Sequence, residues 1–116
     1  MIEGRFLFGL PFISLVIEGK KIEVLVDTGF NAGLSLPASL IQDLHLPQIG
    51  SATYILADGR TMRSKVYQAT VPWLGKEQAV GVIASEGDIA LLGMELLMEA
   101  KITLEPAKNR LRIEPR

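Results

Sequence analysis

The sequence contains no cysteine and only one histidine, His45. Disulfides, zinc–thiolate centres and thiol nucleophiles are therefore excluded. A multi-histidine metal site cannot form within one chain, and neither a metal nor a cofactor is expected. Aromatic residues make up 6% of the chain, and Trp73 is the lone tryptophan, read here as a packing residue. No charge sign dominates: 12 Lys and Arg stand against 13 Asp and Glu, for a formal net charge of −1. The basic footprint of a nucleic-acid binder is absent. Long apolar runs are absent too. Phe6 to Ile17 comes nearest, but Gly9 and Pro11 interrupt it and no small-residue cleavage site follows, so neither a bilayer span nor a signal peptide is expected. There is no internal repeat and no low-complexity segment.

What is present is a chain of 116 residues with a 48% hydrophobic share. A chain of this length buries roughly 65% of its unfolded surface, enough for one core, and residues 1–116 read as a single domain. Most of it reads as strands. Phe12 to Glu18 alternates, with Ile13, Leu15 and Ile17 on one face and Val16 on the other; Gly19-Lys20 is the expected turn and Lys21 to Val26 the return strand. Leu34 to Leu36 fits a short strand. Pro37 suits the first position of a helix whose inner face is Leu40, Ile41 and Leu44, ended by Pro47. His45 falls at the exposed end of that helix. Thr53 to Ala57 and Thr61 to Val71 form a second hairpin, with Asp58-Gly59 as a two-residue turn. Gln78 to Ala84 is a strand, Met94 to Ala100 a helix, and Lys101 to Glu105 and Arg110 to Glu114 two closing strands. Ile2 to Arg5 spells Ile-Glu-Gly-Arg, also an engineered protease-recognition sequence, which leaves a cloning remnant and a native start both open.

The organising stretch is Val24-Leu25-Val26-Asp27-Thr28-Gly29. An apolar strand ends in a carboxylate, a hydroxyl and a glycine, so the acid sits at the rim of the core. Taken alone, Asp27-Thr28-Gly29 fits an ordinary turn after a strand, since all three residues favour turns. Later in the chain, Leu91-Leu92-Gly93 precedes a short helical segment.

Together these motifs, in this order, resemble the retropepsin-type aspartic proteases. The following Phe30 resembles a bacterial and archaeal Asp-Thr-Gly-Phe branch of that clan. The resemblance covers nearly the whole chain and implies a mainly β fold, a closed retropepsin-like barrel with one or two short helices. It implies Asp27 as the catalytic acid, with Thr28, Gly29, Leu91, Leu92 and Gly93 supporting its loop. Asp58 and Gly59 would form the tip of a flap over the site. Phe30, Asn31 and Ile83 are expected along the cleft, although Phe30 fits the core equally well. One chain holds only half of a two-carboxylate site, so the resemblance implies a homodimer acting on peptide or protein substrates, in the cytoplasm. In viral members the chain ends interleave between subunits; here Met1 to Phe8 and Arg110 to Arg116 are expected to pair as strands, within one chain or between two. Three functions fit: an aspartic endopeptidase, a non-catalytic dimerisation or interaction module of the same fold, and a regulatory partner whose role lies in an assembly.

Overall fold

Alternation of apolar and polar residues builds the first half of the structure. The computed structural model, which describes Met1–Arg116, opens with β1 (Ile2–Leu7), β2 (Leu10–Ile17) and β3 (Lys20–Val26) as consecutive antiparallel strands. In β2, Ile13, Leu15 and Ile17 point inward and are buried, whereas Val16 faces solvent. Phe8-Gly9 and Glu18-Gly19 connect these strands, and all four residues have positive φ. That is the two-residue geometry whose twist matches the flanking strands. The turn expected at Gly19-Lys20 thus begins one residue earlier. Glycine occupies its second position, and Lys20 already pairs with Ile17.

Ile2 to Arg5 is an integral part of the fold. Ile2 lies opposite Ile113 and Gly4 opposite Leu111. A Cβ on Gly4 would stand 2.7 Å from Ile13 Cγ2 and 2.8 Å from Leu111 Cδ2, so only glycine fits there.

The remaining elements are β4 (Leu34–Pro37), α1 (Ala38–Asp43), β5 (Gln48–Ile55), β6 (Thr61–Trp73), β7 (Lys76–Ser85), β8 (Ala90–Leu92), α2 (Met94–Leu97), β9 (Ala100–Glu105) and β10 (Arg110–Pro115). Pro37 is extended, with ψ 140°, and precedes the first turn of α1 instead of opening it. Ile41 faces the core as expected. The helix expected to reach Ala100 stops at Leu97, because Ala100 is drawn into β9 opposite Pro115. The Asp58-Gly59 connection is not a two-residue turn. Gly59 N–H donates to Leu56 O (2.9 Å) and Leu56 N–H to Arg60 O (2.8 Å), which makes Ala57-Asp58-Gly59 a three-residue loop. Gly59, at φ 88°, takes its left-handed position.

All ten strands join one sheet in the order β5-β6-β7-β4-β8-β3-β2-β1-β10-β9. The expected barrel is not closed by hydrogen bonds: β5 and β9 are free edges. The sheet does curl until the end of β2 meets β6. There Glu18 N–H approaches Thr70 O at 3.5 Å, and Thr70 N–H donates to the Glu18 carboxylate at 2.9 Å. Glu18 already lies in a left-handed turn, so this contact is a single stitch and cannot extend into a ladder.

The curled sheet encloses one main core that includes Ile13, Val24, Leu34, Val82, Leu92 and Leu111. Trp73 packs in it as expected, and its indole N–H donates to Leu96 O at 3.0 Å, tying β6 to α2. A smaller cluster of Phe30, Ala32 and Ile83 lies beside it, with Tyr54 and Leu91 packed against it. No helix is long and apolar enough to cross a membrane.

Candidate active site

The centre of the sheet positions Asp27. β3 runs parallel to β8, with Val24, Leu25 and Val26 opposite Ala90, Leu91 and Leu92. One residue further, Asp27 N–H donates to Leu92 O at 2.9 Å. The chain then leaves the sheet as a tight loop. Gly29 N–H donates to Asp27 Oδ1 at 2.9 Å, and Phe30 N–H to Asp27 O at 3.3 Å. The carboxylate is half-buried, held by a backbone amide and not by a cation; Thr28 and Gly29 are exposed.

The start of α2 buttresses this loop from behind. Gly93 N–H donates to Gly33 O (2.8 Å), Met94 N–H to Phe30 O (2.7 Å) and Glu95 N–H to Ala32 O (3.2 Å). The open amides of a helix start thus satisfy the carbonyls of the loop after Asp27. Gly93 is fully enclosed. A Cβ there would collide with Ala32 O and lie 2.6 Å from the Phe30 ring.

The β5–β6 hairpin folds over the front. A Cβ on Gly29 would stand 3.1 Å from Ala57 Cβ, so the hairpin loop rests on the Asp27 loop. Ile55 N–H donates to Asn31 Oδ1 at 3.3 Å, and the Phe30 and Tyr54 rings meet at 6.4 Å between centroids. Asp58 spends its carboxylate on Arg60, accepting from its backbone N–H at 3.0 Å and its Nε at 2.7 Å. It therefore stiffens the hairpin loop and is not a second acid beside Asp27. Desolvation, and then the negative charge of Glu95, push the Tyr54 hydroxyl above its ordinary value of 10.0. Tyr54 therefore stays neutral through the physiological range.

Between hairpin and sheet lies a cavity of roughly 400 Å³ lined by Phe30, Ser35, Leu56, Met62, Leu91 and the Ile83-to-Glu86 end of β7 and its following loop. Phe30 and Ile83 are buried, and both line this space. Asn31 instead faces the hairpin as its tether. Ser35 is the only buried polar residue of the chain, and Ser85 Oγ is buried without a hydrogen-bond partner. Tyr54, Leu56, Ala57 and Met62 are the members that local pattern did not reveal. They reach the site only because the hairpin folds back, and their one sequence signal was position on an arm beside Asp58-Gly59. A larger cavity of roughly 730 Å³ sits under α1, lined by His45 and Tyr67 among others, and shares no residue with the Asp27 loop. No three His, Cys, Asp or Glu side chains come together as a metal-binding group anywhere in the chain.

No family model matches the sequence, and no curated protein matches it at a significant level. Solved structures do. A retropepsin-like aspartic protease from Rickettsia conorii superposes with a TM-score of 0.60 at 29% identity, covering 96% of this chain and 86% of that one. The protease of simian foamy virus (mac) gives a TM-score of 0.56 at 23% identity, over 75% of this chain and 91% of its own. The protease of EIAV, solved with the inhibitor HBY-793, gives a TM-score of 0.62 at 19% identity, over 84% and 96%. The two viral structures share the fold, and the Rickettsia protein adds closer sequence likeness over nearly the full length. By its fold, and by sequence likeness to the Rickettsia protein, this chain is retropepsin-like.

Proposed function

We propose that two copies of this chain, each a single domain over residues 1–116, form an aspartic endopeptidase with one Asp27 from each. The observation that carries the reading is the setting of Asp27: a half-buried carboxylate at a strand end, held by the Gly29 amide beneath a folded-over hairpin. Two such carboxylates a few ångströms apart cannot both ionise easily, so they share one proton. The ionised member draws a proton from water as the water attacks the scissile carbonyl. The protonated member delivers a proton to the leaving nitrogen. The pair titrates as a unit, with neither macroscopic value belonging to one residue.

The remaining residues take supporting roles. Thr28, exposed beside Asp27, reaches towards the opposite loop and fixes the spacing of the pair. Leu92 and Gly93 hold the loop from behind. The Asp58-Gly59 hairpin acts as a flap that admits an extended peptide, and Phe30 and Ile83 meet a substrate side chain. Phe30 after Asp27-Thr28-Gly29 fits the bacterial and archaeal branch, and the absence of cysteine fits a cytoplasmic setting.

Asp27→Asn tests the reading. It keeps the shape of the side chain and its acceptor for Gly29 N–H. Hydrolysis of a denatured protein substrate should fall at least about a thousand-fold, since removing one member of a concerted catalytic unit removes most of its effect. Circular dichroism and oligomeric state should stay unchanged. Unaltered turnover would overturn the assignment. The same fold used only as a dimerisation module would show no hydrolysis by the native protein either.

A further inference from the structure

We infer that the cavity beside the Asp27 loop takes a long cationic side chain of the substrate, lysine or arginine, with its stem on the apolar walls and its charged tip at Ser85 and Glu86. This selectivity rests on the peptidase reading above and names the class of substrate. The observation behind it is the make-up of the cavity. Phe30, Leu56, Met62 and Leu91 supply apolar wall, and no cationic residue lines the space. Its polar members are Ser35, Ser85 and Glu86. Ser85 Oγ is buried with no hydrogen-bond partner. A buried hydroxyl left unpaired costs free energy, which a ligand that bonds to it recovers.

Strand directions arrange these groups in depth. Ser35 lies opposite Ile83 on one side and Leu91 on the other, so the three side chains share one face of the sheet. β7 is parallel to β4, β4 is antiparallel to β8, and β8 is parallel to β3. β7 therefore runs away from Asp27. Ser85 stands on the same face as Ile83, two residues on, which is roughly 6.6 Å farther from the catalytic end. Glu86 follows it and is exposed. Its carboxylate takes part in none of the ion pairs of the chain. The space thus begins beside the Asp27 loop at Phe30, passes between the sheet and the hairpin, and ends at a hydroxyl and an unpaired carboxylate.

A side chain with a long apolar stem and a cationic tip matches each of these features. An ammonium or a guanidinium brings donors only, and both Ser85 and Glu86 can accept from it. A purely aliphatic side chain covers the walls but leaves Ser85 unpaired. A glutamine satisfies Ser85 without drawing on the charge of Glu86, and a glutamate meets that charge with its own sign. Glu86 is exposed, so the tip stays partly hydrated while the stem is buried. The penalty for burying a bare charge is thereby largely avoided.

Cleavage sites in a digest of denatured protein, read by mass spectrometry, should carry Lys or Arg at a fixed position beside the cut, well above their frequency in the substrate. Binding is measured separately on Asp27→Asn, with an alanine heptapeptide carrying one central lysine and with its norleucine counterpart. The uniform flanks let the central side chain reach the cavity in whichever register suits it. The lysine peptide should bind about fivefold more tightly, and less so in high salt, because its pair with Glu86 is partly exposed. Glu86→Gln should remove most of that difference, and Glu86→Lys should turn it in favour of a central glutamate. Ser85→Ala deletes an unpaired hydroxyl, so it should be at least as stable as the parent in thermal melts and yet narrow the preference for lysine. Equal binding of the two peptides, no binding of either, or a preference that survives Glu86→Gln would overturn the selectivity. So would cleavage sites with no enrichment in basic residues, which would leave the peptidase reading standing. A lysine preference that vanishes in Glu86→Gln, from a native protein that hydrolyses nothing, would sink the catalytic reading alone.

Discussion

At the scale of single residues, glycine decides where the Asp27 loop can sit. Gly93 has an ordinary extended φ of −106°, so its requirement is space and not backbone freedom. A methyl group there would press on Ala32 O and on both the carbonyl and the ring of Phe30, all part of the segment that follows Asp27. The loop would have to move outward, and the bond from Met94 N–H to Phe30 O would lengthen. Gly93→Ala should therefore lower stability by about 1–3 kcal/mol, the usual cost of overpacking. It should also lower activity by more than the unfolded fraction explains. Thermal melts and kcat/KM measured on the same preparation check both effects. A variant as stable and as active as the parent would show that the buttress is slack. Asp27 and Gly93 could be singled out in the sequence only together: an acid ending an apolar strand and a glycine ending an apolar run are each ordinary alone, and their order along the chain is what marks them. Ser35 and Ser85 were not. Their burial depends on strand order, which the sequence does not show: β4 is inserted between β7 and β8, with Ser35 opposite Ile83 and Pro37 opposite Ser85.

At the scale of elements, strands were easier to read than the connections between them. β2 and β3 showed themselves by alternation, which survives folding because one face is buried. The Gly19-Lys20 turn misled by one residue because Glu18 sits at positive φ, where side-chain preference would place Asn or Asp. There the register of the strands overrides local propensity. Asp58-Gly59 misled for another reason: the Asp58 side chain closes onto Arg60, and the loop takes Ala57 as well. The resulting hairpin is anchored to the site by few contacts, chiefly Asn31 to Ile55, Phe30 to Tyr54 and Ala57 on Gly29. Elements with so few tertiary contacts open at low free energy. Amides from Ile55 to Arg60 should exchange faster than those of Ile22 to Val26, and Asn31→Ala should speed exchange at Ile55 further. An active-site inhibitor should slow exchange across the hairpin. Equal protection in both strands, with and without inhibitor, would mark it as fixed architecture.

At the scale of the whole molecule, the proposed chemistry turns on the number of available carboxylates. One chain brings one acid to the mouth of the cleft. Asp58 is held by Arg60, and Glu86, at the cavity margin, follows β7 in an exposed loop without the strand-end setting of Asp27. His45 faces a different cavity. On the proposed two-carboxylate mechanism, activation of water by a shared proton needs a second Asp27, and activity should follow the dimer population. Specific activity should fall on dilution through the dissociation range, with a concentration dependence that matches the sedimentation equilibrium. Subunit mixing gives a sharper measurement. If native protein exchanges freely with a ninefold excess of Asp27→Asn, only roughly a tenth of the native chains remain paired with each other. Heterodimers hold a single carboxylate, so activity per native chain should drop in the same proportion. The same excess of an unrelated folded protein should leave it unchanged. Full activity in a mixture whose exchange has been verified by labelled subunits would mean that one Asp27 suffices, and the shared-proton mechanism would be wrong.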